Sequence, residues 1–574
     1  MPDDNLQNAA FKWSTTFVRA LYEEGVRHVI ISPGSRSTAL TLAFSAHPGF
    51  KTHVIIDERS AAFTALGIAK ESGIPAVLVC TSGTAVANYF PAVIEATQSG
   101  VPMIVASADR PPHQRGLGAS QTIDQLKIFG DYPVFFHEAG EPNEREQSTK
   151  RLKMASRQAV QHAMEQEGVA HLNFAFSKPF EPKAEYLEEV EFENGKLLQP
   201  PPSYSIKQGN MELGETFWSD LVSAERPLIV VGPASASDHP EKNEYIHELA
   251  QTLKAPVIAE PGAALPSSPQ NIQGFDGFLR NEKNRNLLNA DLILRFGAQP
   301  VSKALNLYME QSEAMQIVFR RAGRWNDGSL SGHKHIDLTG PIAIPEVTGS
   351  AQESWLATWK QAEQAFNVFR NEQLEPSTPL TDGLIFSTVT NQFPDESFTM
   401  LSNSFPARDM SLFGDFDGRE VYMNRGAAGI DGITSTAIGL SLSSQKPGVL
   451  FVGDIAFLHD SNALLQAASV DKPLVVIVLN NGGGTIFRML PVHDIRSKYT
   501  EYFETPQQVK IAALCRAHGI HHTLVSKPDQ IAPVFHKLKK RNGLHVMECM
   551  TDAEKSMEQR HALWNFKLKL NPGS

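Results

Sequence analysis

The sequence predicts an α/β protein of three doubly wound parallel-sheet domains, and three observations carry that expectation. A chain of 574 residues exceeds what one hydrophobic core serves, so several domains are expected. Short apolar runs alternate with stretches of helical periodicity, which is the pattern of βαβ units. Those runs are apolar throughout rather than alternating with polar residues, as strands buried on both faces of a parallel sheet are.

In the first block, residues 1–190, strands are expected at His28–Ile31, His53–Ile56, Ala76–Cys80 and Met103–Ala106, with a helix from Thr84 to about Gln98. The second block, 210–345, offers strands at Leu228–Val231, Val257–Ile258 and Leu292–Phe296. A helix around Trp355–Phe369 then leads to the third block, 375–574, with strands at Val449–Val452, Leu474–Leu479 and His545–Cys549. The polar, proline-bearing stretches FENGKLLQPPPSYSIKQGN and EQLEPSTPLTDG separate the blocks. No short-period repeat or long low-complexity tract is present.

Composition excludes several classes. Hydrophobic residues make up 41% of the chain, yet no apolar run approaches the roughly 18 residues of a membrane-spanning helix. The start, MPDDNLQNAAFKW, lacks the apolar core of a secretory signal. A formal net charge of -11 argues against a nucleic-acid partner, which requires a positive face. Cys80, Cys515 and Cys549 lie in apolar contexts at no metal-like spacing, as expected of core residues in a reducing cytoplasm.

The chemistry is concentrated at two strand ends. The run Val449–Val452 ends at Gly453-Asp454, and Leu474–Leu479 ends at Asn480-Asn481 followed by Gly482, Gly483 and Gly484. Asn481 stands 27 positions after Asp454. Ligands of open parallel sheets bind outside the carboxyl ends of the strands, so both motifs fall where a ligand is held. Magnesium takes hard oxygen donors, commonly one or two protein groups together with substrate phosphates. The Asp454 carboxylate, the Asn481 side-chain oxygen and a backbone carbonyl near Gly483 supply the protein share. Glycines let the main chain approach a polyanion, and the start of the helix that follows favours negative charge. Turn chemistry alone accounts for either motif by itself; their occurrence together, each after a buried strand, favours a metal–diphosphate cradle.

At these residues the chain resembles the thiamine diphosphate enzymes, whose signature is Gly-Asp-Gly followed at this distance by an Asn pair. Ile455 departs from it, standing where the third signature position is usually Gly; it removes no metal ligand. The resemblance implies thiamine diphosphate with Mg2+, Mn2+ being able to substitute, and pyrimidine-binding, central and diphosphate-binding domains. It also implies a homodimer or homotetramer with sites formed between chains. A second requirement of such enzymes is a carboxyl group that hydrogen-bonds N1' of the aminopyrimidine. THVIIDERSAAFTALGIAK supplies one: a strand, then Asp57-Glu58, then a helix carrying Ala61, Ala62, Ala65, Leu66 and Ala69. A Glu in a first helical turn is commonly a solvated partner of the macrodipole; the resemblance makes Glu58 the activating acid.

Arginines stand out against the acidic background, at Arg36 in SPGSRS, Arg110 in ADRPP, Arg408 in SNSFPAR and Arg425 in MNRGAAGIDG. Exposed arginines usually pair with surface acids, but several planar forks converging on one pocket select a multiply anionic substrate. Together with IISPGSRSTAL, TSGTAVANYFPAVIEA, GASQTIDQ and NNGGGTIF, these strings resemble the menaquinone-pathway branch of the family, which joins 2-oxoglutarate to isochorismate. The resemblance spans both outer blocks and is weaker in the middle one, where Ser302-Lys303 carries it.

Residue by residue, that resemblance implies Glu58 as the activating acid and Ile430 as the apolar wedge under the bent cofactor. Gly453, Asp454, Ile455, Asn481 and Gly483 form the diphosphate and metal site, with Asp454, Asn481 and Gly483 as metal ligands. Ser404, Arg408 and Arg425 hold the carboxylate of 2-oxoglutarate. Ser32, Arg36, Arg110 and Lys303 face isochorismate, and Gln121 hydrogen-bonds the reacting species. Ile486, Phe487 and Leu490 either form an apolar lid that limits water or merely pack a helix. Two other readings remain open at this point. One is a different thiamine diphosphate decarboxylase or carboligase, and the other is a catalytically inactive binding module of the same fold.

Overall fold

The computed structural model describes residues 4–196, 209–236, 243–321, 323–374, 376, 379–394, 396–494 and 500–569. Residues 197–208 of the first expected linker and 375, 377 and 378 of the second lie outside the described residues. The described strands form three sheets, and every strand pair in them is parallel. This is the α/β architecture of three parallel-sheet domains expected from the pattern of buried runs.

The first sheet contains β1 (His28–Ile31), β2 (Lys51–Val54), β3 (Ala76–Cys80), β4 (Met103–Asp109), β5 (Phe135–Gly140) and β6 (Val169–Ala175) in the order β2-β1-β3-β4-β6-β5. The second contains β7 (Pro227–Val231), β8 (Val257–Ala259), β9 (Leu292–Phe296), β10 (Met315–Arg320) and β11 (Lys334–Asp337) in the order β11-β10-β9-β7-β8. The third contains β12 (Phe398–Leu401), β13 (Glu420–Met423), β14 (Gly448–Gly453), β15 (Pro473–Asn480), β16 (His521–Val525) and β17 (Gly543–Met550) in the order β13-β12-β14-β15-β17-β16. With strands renumbered from its own first, the third sheet repeats the order of the first. In both, the strand order reverses at the first strand, which opens a crevice at the carboxyl ends beside it.

The central strands were the legible ones because burial on both faces leaves little choice of residue. All residues of β3, β4 and β6 are buried, as are the first seven of β15. Three boundaries differ from expectation. β2 runs Lys51–Val54 rather than His53–Ile56, so Glu58 does not sit at the strand end. It opens the helix Glu58–Ser72, whose N-cap Asp57 accepts the Ser60 N–H at 3.0 Å. The expected single helix from Thr84 is two, Thr84–Ala87 and Phe90–Ser99, with Pro91 in the first turn of the second, where a missing N–H costs nothing. The glycine run at 482–484 leads into a short 3-10 helix, Thr485–Met489, and the α-helix of the cradle begins at Asp454 itself, Asp454–His459.

The described residues fall into two compact units. One takes in described residues of Met1–Ile206, Asn424–Gln445 and His459–Ser469; the other takes in Lys207–Met423, Lys446–Leu458 and Val470–Ser574. In the first unit the helix Glu58–Ser72 packs on the helix Ile433–Ser443 at backbone contact. A Cβ at Gly67 would stand 2.1 Å from the Thr436 carbonyl oxygen, and one at Gly439 would stand 2.1 Å from that of Thr64. Neither carbonyl yields as a flexible side chain does. Gly439→Ala is therefore expected to cost at least the roughly 1–3 kcal/mol of an overpacked core, seen as a lower midpoint of thermal inactivation; an unchanged midpoint would show that the helices have room to part.

The second unit contains a fully buried charge cluster. Arg560, 1% exposed, donates from Nε to Asp409 Oδ1 at 2.8 Å and from an Nη to Asp382 Oδ2 at 2.7 Å, and it stacks over the Phe405 ring at 3.7 Å. Burial pushes the Asp409 carboxyl up to about 6 despite Arg560. The cluster ties the C-terminal helix Ala553–Trp564 to the helix Phe405–Phe413, which begins one residue after Ser404. Cys80, Cys515 and Cys549 are all buried and unpaired, as expected of core thiols. No helix among the described residues is long and apolar enough to cross a membrane.

Candidate active site

The candidate metal cradle lies at the carboxyl ends of the neighbouring strands β14 and β15, in register from Gly448↔Leu474 to Gly453↔Leu479. Asp454 is 6% exposed, and its carboxylate accepts the Ile455 N–H at 3.0 Å and a backbone bond from Gly483. Burial nevertheless pushes its pKa up to about 6, the condition of a carboxylate that lacks a countercharge. The side-chain oxygen of Asn481 is buried without a hydrogen-bond partner. A buried amide oxygen is costly to leave unpaired, and a cation would satisfy it. At Gly483, φ is +138° and a Cβ would come 2.3 Å from the Glu504 carbonyl oxygen, so only glycine fits. That same Glu504 oxygen accepts the Gly484 N–H at 2.7 Å, fixing the glycine turn. A Cβ at Gly453 would meet nothing within 4 Å, leaving the approach to the cradle open.

These residues fit a metal-bound diphosphate. Among the described residues no group of three or more His, Cys, Asp or Glu is placed to hold a metal. One carboxylate, one amide oxygen and a main-chain carbonyl instead require phosphate oxygens to complete a shell, the usual arrangement for magnesium. Ile455 is half-buried, and its N–H supports Asp454 rather than displacing it. Behind the cradle, Glu548 accepts from Asn480 Nδ2 at 2.6 Å and meets His522 Nε2 at 2.7 Å, fixing the residue before Asn481. Glu504 and Glu548 were not legible as site residues, because only the folded chain brings them to the glycine turn.

Beside β14 in the same sheet, β12 ends ahead of Ser404, whose backbone stands at φ +75°, ψ -135°. A non-glycine residue rarely adopts that conformation, and such strain concentrates at functional positions. Arg408 follows one turn later, half-buried, with Nη1 donating to the Ser404 carbonyl at 2.5 Å. Burial lowers its pKa, and the Asp276 and Asp409 carboxylates oppose that. Ser302 caps the helix Lys303–Gln311 by accepting from Leu305 N at 3.2 Å, and its hydroxyl donates to Asp276 at 2.5 Å; Lys303 is exposed. Ile486 and Phe487 lie half-buried in the 3-10 helix, with Phe487 edge-on to Phe503 at 5.6 Å, and Leu490 is 48% exposed.

In the first unit, Glu58, Ser32, Arg110 and Gln121 all lie toward the carboxyl edge of the first sheet. Glu58 is half-buried, and behind it burial pushes the Tyr89 hydroxyl and the Cys80 thiol up, with the charge of Glu58 adding to both. Ser32, 1% exposed, directly follows β1 and adjoins Tyr89. The Nε of Arg110 is buried without a hydrogen-bond partner. Gln121, at φ +54°, donates from Nε2 to the Ser82 carbonyl at 2.9 Å, and the Ser82 hydroxyl donates back to its carbonyl at 3.1 Å. Arg36 is engaged in the core: 4% exposed, it donates to the Phe176 carbonyl at 2.5 Å and lies over the Phe180 ring at 4.5 Å. Arg425 and Ile430 are half-buried in the loop between β13 and the helix Ile433–Ser443.

Comparisons with known proteins bear on this geometry. Residues 11–128 match the thiamine pyrophosphate enzyme N-terminal TPP binding domain, 203–397 the middle domain of thiamine pyrophosphate enzymes, and 410–549 the C-terminal TPP binding domain. A 2-succinyl-5-enolpyruvyl-6-hydroxy-3-cyclohexene-1-carboxylate synthase of Geobacillus kaustophilus is 34% identical over 98% of both chains. The chain belongs to this synthase family of thiamine pyrophosphate enzymes. The synthase of Haloarcula marismortui is 35% identical over 96% of this chain and 97% of its own, and that of Trichodesmium erythraeum 34% over 94% and 95%. Members of the synthase family are thiamine diphosphate-dependent transferases, so the cofactor of this chain is thiamine diphosphate with a divalent metal such as Mg2+. The two TPP binding matches cover Glu58 on one side and Asp454, Asn481 and Gly483 on the other.

Proposed function

We propose that the chain decarboxylates 2-oxoglutarate and adds the remaining four-carbon unit to isochorismate by 1,4-addition. The products are 2-succinyl-5-enolpyruvyl-6-hydroxy-3-cyclohexene-1-carboxylate and CO2, a step of menaquinone biosynthesis. The observation that carries this reading is Ser404, held in a strained backbone and bonded to Arg408 at the end of β12, beside the strand that presents Asp454. It supports a carboxylate-binding fork next to the proposed metal cradle.

Thiamine diphosphate, when bound, supplies the electron sink for the decarboxylation. Asp454, Asn481 and the Gly483 carbonyl would hold its metal, Glu58 would hydrogen-bond its pyrimidine ring, and Ile430 would pack against it. Ser404, Arg408 and Arg425 hold the distal carboxylate of 2-oxoglutarate. Ser32, Arg110 and Lys303 receive isochorismate, Arg36 contributes its positive charge from within the core, and Gln121 orients the groups that join. Both substrates are dianions, so in a water-poor pocket their repulsion is large unless cations offset it. The guanidinium groups provide that offset, and Ile486, Phe487 and Leu490 exclude water that would otherwise protonate the four-carbon unit.

Arg408→Ala is expected to weaken one charge-assisted contact of about 1.5–3 kcal/mol. The KM for 2-oxoglutarate rises by roughly 10-fold or more, and that for isochorismate rises less. Steady-state kinetics with each substrate varied in turn measure this, and the reverse ordering would exchange the two pockets. The function itself is tested by mass analysis of the product formed from 2-oxoglutarate and isochorismate with thiamine diphosphate and Mg2+. Release of CO2 from pyruvate as readily as from 2-oxoglutarate would favour another carboligase.

The working assembly we infer is a cytoplasmic homodimer or homotetramer with sites between chains. Support comes from the exposed edge at β2, where Val54 and Ile56 are 66% and 73% exposed close to Glu58. Exposed apolar side chains at and just beyond an edge strand, beside the proposed catalytic acid, suit a second copy of the chain.

A further inference from the structure

We propose that Glu95 is a positioning residue, which grips the loop carrying Arg425 and Ile430 and thereby sets the affinity of the site for the 2-oxoglutarate carboxylate. The proposal rests on the function proposed above and assigns that function a residue outside the site. Glu95 lies on the helix Phe90–Ser99 and is 2% exposed. One carboxylate oxygen accepts the N–H of Gly426 at 2.9 Å, and the other accepts the N–H of Ala427 at 2.7 Å, 331 and 332 residues further along the chain. A buried charge is retained when it is bonded on both oxygens. Lys70 contributes, since its ammonium and the Glu95 carboxylate attract each other.

The geometry of the loop shows why this grip matters. A Cβ at Gly426 would lie 2.6 Å from the Glu95 carbonyl oxygen and 2.8 Å from Ser99 N, so the loop backbone is pressed onto the last turn of that helix. Two residues on, Ala428 takes φ +57°, a conformation that costs an alanine energy and needs outside restraint. Packing does not supply that restraint alone. A cavity of about 220 Å³ lies beside the loop, lined by Phe63, Pro91, Ile94, Glu95, Ala427 and Asp431 among others. The two hydrogen bonds therefore fix where Ala427 and its neighbours sit, with Arg425 immediately before the gripped pair and Ile430 three residues after it.

Glutamine at 95 keeps the volume but offers one acceptor, and its NH2 group opposes the second N–H. Glu95→Gln is expected to raise the KM for 2-oxoglutarate about 10-fold and leave the KM for isochorismate within about 2-fold. Amide hydrogen exchange at Gly426 and Ala427 accelerates, while the thermal midpoint stays close to that of the unaltered protein. Gly426→Ala, whose added Cβ would push the same loop away from the helix, is expected to give the same split between the two KM values. Faster exchange with both KM values unchanged overturns the proposal, as does an equal rise in both accompanied by a lower thermal midpoint. Unaltered protein that consumes no 2-oxoglutarate overturns the function and the substrate part of this proposal together. The exchange rates at Gly426 and Ala427 still report whether Glu95 grips the loop.

Discussion

Glu58→Gln is expected to lower turnover by roughly 10²–10⁴-fold, the usual contribution of a positioned acid or base, while thiamine diphosphate still binds. The substitution preserves size and removes only the ionisable carboxyl. Its surroundings make the effect specific to chemistry rather than folding. Asp57, the helix N-cap, is itself held by Asn462 Nδ2 at 2.5 Å, and neighbouring Arg59 donates to the His459 carbonyl at 2.9 Å. Thr64, two turns on, donates to Gln466 at 3.0 Å. The first turn of this helix is therefore fixed by partners other than Glu58. Calorimetric titration with thiamine diphosphate and steady-state CO2 release separate the two properties, and turnover near that of the unaltered enzyme would remove Glu58 from the mechanism.

Asp454→Ala is expected to abolish metal-dependent cofactor binding, with a loss of affinity exceeding the roughly 10–100-fold that follows loss of an outer-shell partner. Folding of the cofactor-free protein should not suffer. The carboxyl of Asp454 is raised to about 6 by burial, so its stabilising effect is full below the usual carboxylate range and is lost as pH rises through 6. Near pH 7 the ionised group works against the empty fold, and its removal leaves the thermal midpoint equal or higher. A metal reverses that balance by supplying the missing charge. Unchanged thiamine diphosphate affinity in the presence of Mg2+ would refute the cradle.

Legibility in the sequence followed burial. β14 and β15 could be read within a residue or two, because strands covered on both faces admit little but Val, Ile, Leu and Phe. β16, HHTLV, and β5, FFHEAG, are edge strands with few fully buried positions, and they carry no such signal. β2 was displaced toward the apolar Ile55-Ile56, although its ladder with β1 pairs Lys51 through Val54. The candidate metal cradle was legible as a pattern because Asp454 and Asn481 each lie directly at a strand end. The environment of Arg36 was not, since its partner is a carbonyl 140 residues away in a segment with no charge to announce it. The same holds for Glu95, which within its own helix resembles any solvated glutamate. Strain at Ser404 and Gln121 is equally invisible in residue type, because serine and glutamine are ordinary turn and surface residues.

The most direct test of the central claim is the structure of the protein crystallised with thiamine diphosphate and Mg2+. The metal is expected on the Asp454 carboxylate, the Asn481 side-chain oxygen and the Gly483 carbonyl, with Glu58 of a second chain in hydrogen-bond contact with the pyrimidine ring. A cofactor held without those three ligands, or a pyrimidine ring remote from every Glu58, would contradict it.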